Sequence, residues 1–468
     1  MEDAAVTSSQ RFAVPVGARF GSRRAPLIRQ VSWQGRLRLG ILTQVALCLI
    51  PATIALRAGD AQLAARWLFP VLLLCVVGNL MLGSSLSAVA LIVAVLPMAM
   101  LLRAMFLYNS VIVLLALGVG GVLLRSPPLL SVLRRAGFTW LFPVATAYWL
   151  ASYALTGQYA SNLRILELVL SASALVLLAQ HREQLATALC GILMSAAAIG
   201  TGLWDVGDRL GMTSVNDVRL GNPIAFGTPL ALLLLLANAD GGGWLLLKGR
   251  PRMRMLISGV VGMLLLLSTS RTSWLVAATG MLAVLLFNRY HRGWAVASLG
   301  LLVIAATIVL QTNRGTFLTV WYNRTFAPGR TLAQRTSGRS DQWSMFSEVM
   351  KDVPLWGFGP GSGRDVHARY SALKPRAKLR AGSRLEWHSL YQQLAVETGV
   401  IGTAALLLLL IHMVKGNYRW WHGDGVITPL LGTIGFMLIA ATVSVMDGAS
   451  GLFLGFALLP PPRARVSD

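Results

Sequence analysis

Residues 392–414 read QQLAVETGVIGTAALLLLLIHMV, a run with a single acid and no Lys or Arg. A helix that crosses a bilayer needs about 20 mostly apolar residues, so this stretch is long enough to span. The same pattern recurs on both sides of it. Apolar runs lie near 37–56, 64–82, 85–103, 109–124, 137–156, 163–180 and 185–204, then near 222–239, 253–270, 272–288, 294–311, 426–446 and 448–459. Together they make fourteen candidate spans, the last of them short. The expected fold is an all-α, polytopic membrane helical bundle of 12–14 transmembrane helices with one large, partly helical outer loop.

Composition agrees, since 55% of the 468 residues are hydrophobic and 13% charged. A soluble globular enzyme carries about a quarter charged residues. Cys48, Cys75 and Cys190 fall inside apolar runs. Three buried cysteines suit neither a disulfide framework nor a zinc site, so their expected role is packing.

The few charges present are mostly positive: 41 Lys and Arg against 18 Asp and Glu, a net +23. In short loops such cations stay on the cytoplasmic side. With both termini inside, 21 cations fall in cytoplasmic segments and seven at the opposite short loops and span edges. The chain then divides into a basic cytoplasmic arm (1–36), an N-terminal transmembrane half (37–204), the transmembrane part of a catalytic region (205–310), the large outer loop (311–391), C-terminal spans (392–460) and a cytoplasmic tail (461–468). An arm followed by an apolar run can imitate a signal peptide, but a run of full spanning length with thirteen more behind it reads as a first span.

The outer loop holds the remaining 13 cations against five acids, Asp341, Glu348, Asp352, Asp365 and Glu386. Long loops escape the charge rule, so this excess asks for an anionic partner, membrane lipid or phosphorylated glycolipid, and not for nucleic acid. Within the loop, Ser340 can cap a helix through Trp343, Phe346 and Val349 that Pro354 ends. The run Trp356 Gly357 Phe358 Gly359 Pro360 Gly361 Ser362 Gly363 then reads as a chain reversal whose backbone can approach a neighbour or a phosphate. No following helix of the dinucleotide-binding kind is expected.

Three sites stand at the outer ends of spans, where ionisable groups are costly unless they bind something. In Arg219 Leu220 Gly221 Asn222 Pro223, Asn222 can cap a helix that Pro223 opens, and a cation beside exposed helix-start amides suits a phosphate. Arg271 lies between Ser270 and Thr272 at an outward turn. His388 precedes Ser389, Leu390 and Tyr391 where the loop re-enters the membrane. The plainer reading is that the arginines snorkel to headgroups and the histidine is an interfacial polar residue. No histidine pair shows metal-ligand spacing with a carboxylate, and no serine elbow appears.

These residues carry a family resemblance. Arg219 with Gly221, Asn222 and Pro223, the pair Ser270 Arg271, Ser337 Gly338 Arg339 with Trp343, the block Pro354 Leu355 Trp356 Gly357 Phe358 Gly359, and His388 followed by Glu397 Thr398 Gly399 Val400 Ile401 Gly402 resemble the O-antigen ligase and polymerase superfamily, in order and spacing, over roughly residues 215–410. The resemblance implies an inverting lipid-linked glycosyltransferase of the bacterial inner membrane. It would act at the periplasmic face without cofactor or metal. Its donor would be an undecaprenyl-pyrophosphate-linked glycan, and its acceptor a sugar hydroxyl of the lipid A-core oligosaccharide. It assigns His388 as general base, Arg219 and Arg271 as catalytic arginines that hold the pyrophosphate together with Arg339, and Asn222, Ser270, Ser389 and Tyr391 as supporting residues. Where the family often has Asn after the histidine, this chain has Ser389.

The chemistry fits those residue types. Displacing a pyrophosphate puts charge on the leaving group, which arginine's donor fork stabilises. An imidazole near its ordinary pKa can take a proton from an attacking hydroxyl. A polymerase of the same superfamily is the nearest alternative. A multispan transporter is another, but it calls for ionisable residues deep in several spans, where Glu167 with Arg164 one turn away stands alone and the two can pair.

Overall fold

The structure, a computed structural model, describes residues 25–58, 60–98, 108–156, 163–210, 223–239, 243–268, 270–288, 290–311, 327–329, 331, 339–372, 387–443 and 448–459. Among the described residues there are seventeen α-helices and no strand. They are α1 (Ala25–Arg57), α2 (Ala61–Met81), α3 (Ser85–Ala94), α4 (Tyr108–Arg125), α5 (Pro128–Arg135), α6 (Phe138–Thr156), α7 (Arg164–Ala179), α8 (Arg182–Leu210), α9 (Pro223–Ala239), α10 (Pro251–Leu267), α11 (Arg271–Phe287), α12 (Arg292–Gln311), α13 (Arg339–Asp352), α14 (Gly363–Ala372), α15 (Leu390–Asp424), α16 (Thr428–Thr442) and α17 (Gly448–Ala457).

Residues 38–57 of α1, 62–81 of α2, 182–200 of α8 and 390–422 of α15 are long and apolar enough to cross a membrane, and seven shorter apolar helices accompany them. The chain is therefore an all-α polytopic membrane protein. Its surface supports this, because large apolar side chains such as Leu47, Ile50, Ile54, Leu408 and Ile411 stay exposed on the long helices. In water such faces would be buried; in a bilayer they meet lipid.

The centre of the bundle is held by close backbone approach. Gly451 and Gly455 of α17 face the Leu168 and Ala172 carbonyls of α7, where an added Cβ would come within 2.6 and 2.8 Å. Small residues three to four apart allow this separation between membrane helices. At the head of α17, Oε1 of Glu167 accepts the Gly448 amide at 2.8 Å. The acid singled out as the partner of Arg164 is thus a helix cap, satisfying a donor that α17 leaves open. At the far end of α15 the Asn417 amide donates to the Pro429 and Ala457 carbonyls and to Oγ1 of Thr433, joining three helices.

Several boundaries differ from expectation. Within the run 85–103 the first helix ends at Ala94 and is followed by a 3-10 turn over Leu96–Met98. Pro97 lacks the amide and clashes with a preceding turn, which accounts for the stop. α15 continues through Lys415 and Arg419 to Asp424, well past the apolar run. The segment after the glycine-rich turn forms α14, a helix that the sequence reading does not name. α13 starts at Arg339, one residue before the expected cap Ser340, and ends before Pro354 as expected. Pro223 opens α9 as expected.

Candidate functional site

The site grows from the first turns of α15. Ser389 Oγ donates to the Ala440 carbonyl at 3.3 Å and the Leu390 amide to the Val443 carbonyl at 3.1 Å. One turn on, the Tyr391 hydroxyl donates to the Met437 carbonyl at 3.1 Å. These bonds tie the start of α15 to α16, so Ser389 and Tyr391 position the helix that His388 precedes.

Helices α13 and α14 lie over this end as a small roof. Their own core consists of Met345, Val349 and Val366 packed with Trp387 and Val396 of the incoming chain. The turn between the two helices docks on α15. The Phe358 amide donates to the Val396 carbonyl (2.9 Å), the Gly359 amide to the Glu397 carbonyl (3.0 Å) and the Val400 amide to the Leu355 carbonyl (3.0 Å). Such contact between two backbones requires glycine. Gly399 has φ +62° inside the helix, and a Cβ on it would lie 2.2 Å from the Leu355 oxygen; one on Gly357 would lie 2.4 Å from the Glu397 carbonyl. Two motifs 40 residues apart in the sequence, Leu355 Trp356 Gly357 Phe358 Gly359 and Glu397 Thr398 Gly399, are therefore one interlocked junction.

Glu397 sits at its centre, buried. Its carboxylate accepts the Gly361 amide at 3.0 Å, the Gly363 amide at 3.1 Å, the Gln393 side-chain amide at 3.1 Å and the Tyr148 hydroxyl from α6. A buried carboxylate is tolerable when its lone pairs are filled in this way. The glycine-rich run thus turns its amides to a carboxylate of its own chain. The Gly363 carbonyl in turn accepts the Trp387 indole N–H at 2.9 Å, which anchors the residue before His388.

His388 itself is exposed. Its amide donates to Oε1 of Gln342 on α13 at 3.1 Å, and the Gln342 Nε2 lies 3.3 Å from Nε2 of His367 on α14. His367 is buried and meets the Trp387 ring edge-on at 5.1 Å. Burial first, and then the neighbouring His388, holds the His367 imidazole down to about 4. It is the neutral, fixed member of the pair.

Beside the roof lies a cavity of about 330 Å³ walled by α6, α7 and α15. On α15 its lining runs from Leu390 through Gln393, Leu394 and Thr398 to Leu409, which at 1.5 Å per residue is roughly 28 Å of helix. The lower walls are apolar, with Leu168, Leu406, Phe436 and Leu454. The upper end is polar, with Tyr148, Arg164, Arg364, Glu397 and the glycines 361 and 363, beside Trp387. A hydrophobic slot with two guanidinium groups at its head suits an amphiphile with an anionic head.

Residues 256–407 match the family model described as O-Antigen ligase. Over this segment the chain is similar to the O-antigen ligase family. The O-antigen ligase region begins in α10, takes in Arg271, the roof, His388 and Glu397, and ends within α15; the α6 and α7 walls of the cavity come from outside it. No curated protein matches the chain.

Of the residues expected at the site, His388, Ser389 and Tyr391 are together at the roof. Arg271 heads α11, with Ser270 as its cap, accepting the Ser273 amide at 3.2 Å. α11 runs from there to Phe287, whose carbonyl accepts the Trp421 indole N–H at the far end of α15, so Arg271 lies at the His388 end of the bundle. Between them stands α16, which packs on both helices. Arg339 begins α13, described by its backbone alone, and Arg219 and Asn222 lie outside the described residues. Sequence reasoning gave no role to Tyr148, Gln342 or His367, read Arg164 only as a partner of Glu167 and Arg364 only as one of the outer-loop cations, and met Glu397 only as part of a motif. For Glu397 a signal was present, since a lone acid within a span is costly without a task. No group of three His, Cys, Asp or Glu that could hold a metal occurs among the described residues.

Proposed function

We propose that the protein is an O-antigen ligase of the bacterial inner membrane, with both termini cytoplasmic and the roof in the periplasm. Its donor is an undecaprenyl-pyrophosphate-linked O-antigen and its acceptor a sugar hydroxyl of lipid A-core. The observation that carries this reading is the apolar slot along α15, with arginines at its head, opening beside an exposed histidine in a chain whose matched region is O-antigen ligase. The polyprenyl chain fits the slot and the pyrophosphate its polar end, beside Arg164 and Arg364; Arg219, Arg271 and Arg339 are the arginines that the resemblance assigns to the same pyrophosphate.

In the reaction, the imidazole of His388 takes the proton of the acceptor hydroxyl. The freed oxygen attacks the anomeric carbon on the face opposite the pyrophosphate, the anomeric C–O bond to phosphate breaks, and undecaprenyl pyrophosphate leaves with the electron pair. Configuration inverts. Fixed guanidinium groups at the leaving group lower the barrier because their charge opposes the charge that develops there.

The test uses purified protein in nanodiscs with undecaprenyl-pyrophosphate-linked glycan and rough lipopolysaccharide. Ladders should form, and His388→Ala should lower their rate about 100- to 10,000-fold, the usual range for loss of an acid–base group. Undiminished ladders from that variant would remove the base. Ladders that vanish with EDTA and return with magnesium would overturn the metal-free scheme. Glycan lengthened on the carrier with no transfer to core would assign the polymerase reaction of the same superfamily.

A further inference from the structure

We propose that the turn at residues 353–359 is a membrane wedge: its apolar side chains sit among the acyl chains of the bilayer leaflet at the His388 end, so the roof is moored in lipid at this turn. The sequence places this segment within the large outer loop, residues 311–391. The segment 353–363 has no Lys, Arg, Asp or Glu, within a loop that otherwise carries 13 cations. Leu355 and Trp356 are 66% and 71% exposed although nothing polar accompanies them.

Depth follows from the hydrogen bonds. Leu355, Phe358 and Gly359 are bonded to Val396, Glu397 and Val400, so the turn lies at the level of those residues on α15. The first Lys or Arg on α15 is Lys415, fifteen residues beyond Val400. At 1.5 Å per residue, Val400 stands about 22 Å above Lys415. If Lys415 marks the opposite boundary of a hydrocarbon layer about 30 Å thick, the turn lies inside that layer by some 8 Å.

The turn is also built for that solvent. Irregular backbone at membrane depth must find its hydrogen-bond partners within the protein. The Gly357, Phe358 and Gly359 amides and the Leu355 carbonyl are all paired, and Pro354 and Pro360 have no amide to satisfy. The exposed face continues onto Val400 and Ile401, 55% and 67% exposed, and a Cβ on Gly359 would lie 3.4 Å from the exposed Leu155 of α6. Val400 and Ile401 belong to a span, so lipid is the occupant that the continuity selects.

The test measures depth and needs no substrate, so its outcome is independent of the proposed reaction. Full-length protein with Cys48, Cys75 and Cys190 replaced by alanine is spin-labelled at Trp356→Cys in nanodiscs, with Val400→Cys as a span reference and Lys351→Cys on α13 as a water reference. Collision with oxygen relative to a soluble nickel chelate should be several-fold higher at 356 than at 351 and close to that at 400. A ratio equal to that at 351 places the turn in water and overturns the wedge. Shielding from both reagents means that protein, such as a second copy, covers it, which also overturns the proposal. If the cysteine-free chain does not fold, a photoreactive benzophenone residue at 356 in the native chain should crosslink to phospholipid; crosslinks to protein alone would count against lipid.

Discussion

Glu167 and Glu397 are both buried carboxylates in apolar helices, and both spend oxygens on backbone amides of a distant segment. Around Glu167 the amide belongs to a short apolar helix, and α7 and α17 approach so closely that a Cβ on Gly451 or Gly455 would meet a carbonyl oxygen of α7. Around Glu397 the amides belong to a turn of the roof, and a cavity remains open on one side. The first junction joins two apolar helices to each other; the second joins a span to the roof. The difference teaches that a buried acid marks a site only when the groups it holds also border open space.

That contrast can be broken. Glu397→Ala leaves two roof amides, a glutamine and a tyrosine without their acceptor, each unsatisfied donor costing about 1–3 kcal/mol. Roof and α15 should separate locally, and glycan transfer should fall about 100-fold or more while helical content measured by circular dichroism persists. Glu167→Ala should do the reverse, lowering thermal stability while activity per folded molecule stays near wild type. If both variants lose stability and activity together, the two junctions are not distinct.

The next effect in size is Gly399→Ala. A Cβ at positive φ, 2.2 Å from the Leu355 oxygen, forces the turn off the helix, at a cost of several kcal/mol from clash and backbone strain combined. Limited proteolysis should then cut the roof faster, with the α1–α8 contact intact, reported by the 2.6 Å pair of Arg38 with Glu183. Unchanged cleavage would mean that the junction does not hold the roof.

A third test uses pH. His367 is held at about 4 in the folded roof, whereas an unfolded histidine titrates near 6.5. Because the folded value is the lower one, the roof's stability is fully present above pH 6.5. It declines as pH falls towards 4, where the unfolded form binds the proton that the folded form refuses, by up to about 3 kcal/mol. Hydrogen exchange in α14 should quicken over that window and that in α17 should not; His367→Phe should remove the dependence. Smallest is Tyr148→Phe, which deletes one of four donors to Glu397. It should cost about 1–2 kcal/mol and lower transfer by less than tenfold.

The bundle was legible because apolar length is written locally. Charges at span ends and the prolines at 223 and 354 marked the helix boundaries that the structure keeps. Pro97 was also visible, yet the run 85–103 looked continuous, since hydropathy does not register a missing amide. His388 and Arg271 could be named from their motifs. Tyr148 could not, because it lies 249 residues from Glu397 and its hydroxyl gives no local sign of the acid it serves. Gln342 and His367 were hidden for the same reason: each sits on an ordinary amphipathic helix, and only the fold brings them to the His388 backbone. α14 was missed because its sequence, GRDVHARYSA, has too few apolar residues to announce a helix without the roof it packs in.

The bond between Glu167 and Gly448 spans 281 residues. A ribosome adding about 5–20 residues per second takes roughly 15–60 s to travel that distance. Throughout that interval α7 is already made, its acid without the helix end that it will cap. The nascent chain must therefore keep α7 near the insertion machinery, or near water, until α17 emerges. Chains truncated before residue 448 are expected to be cleared by membrane quality control within minutes, a vulnerability of synthesis that the finished protein does not share.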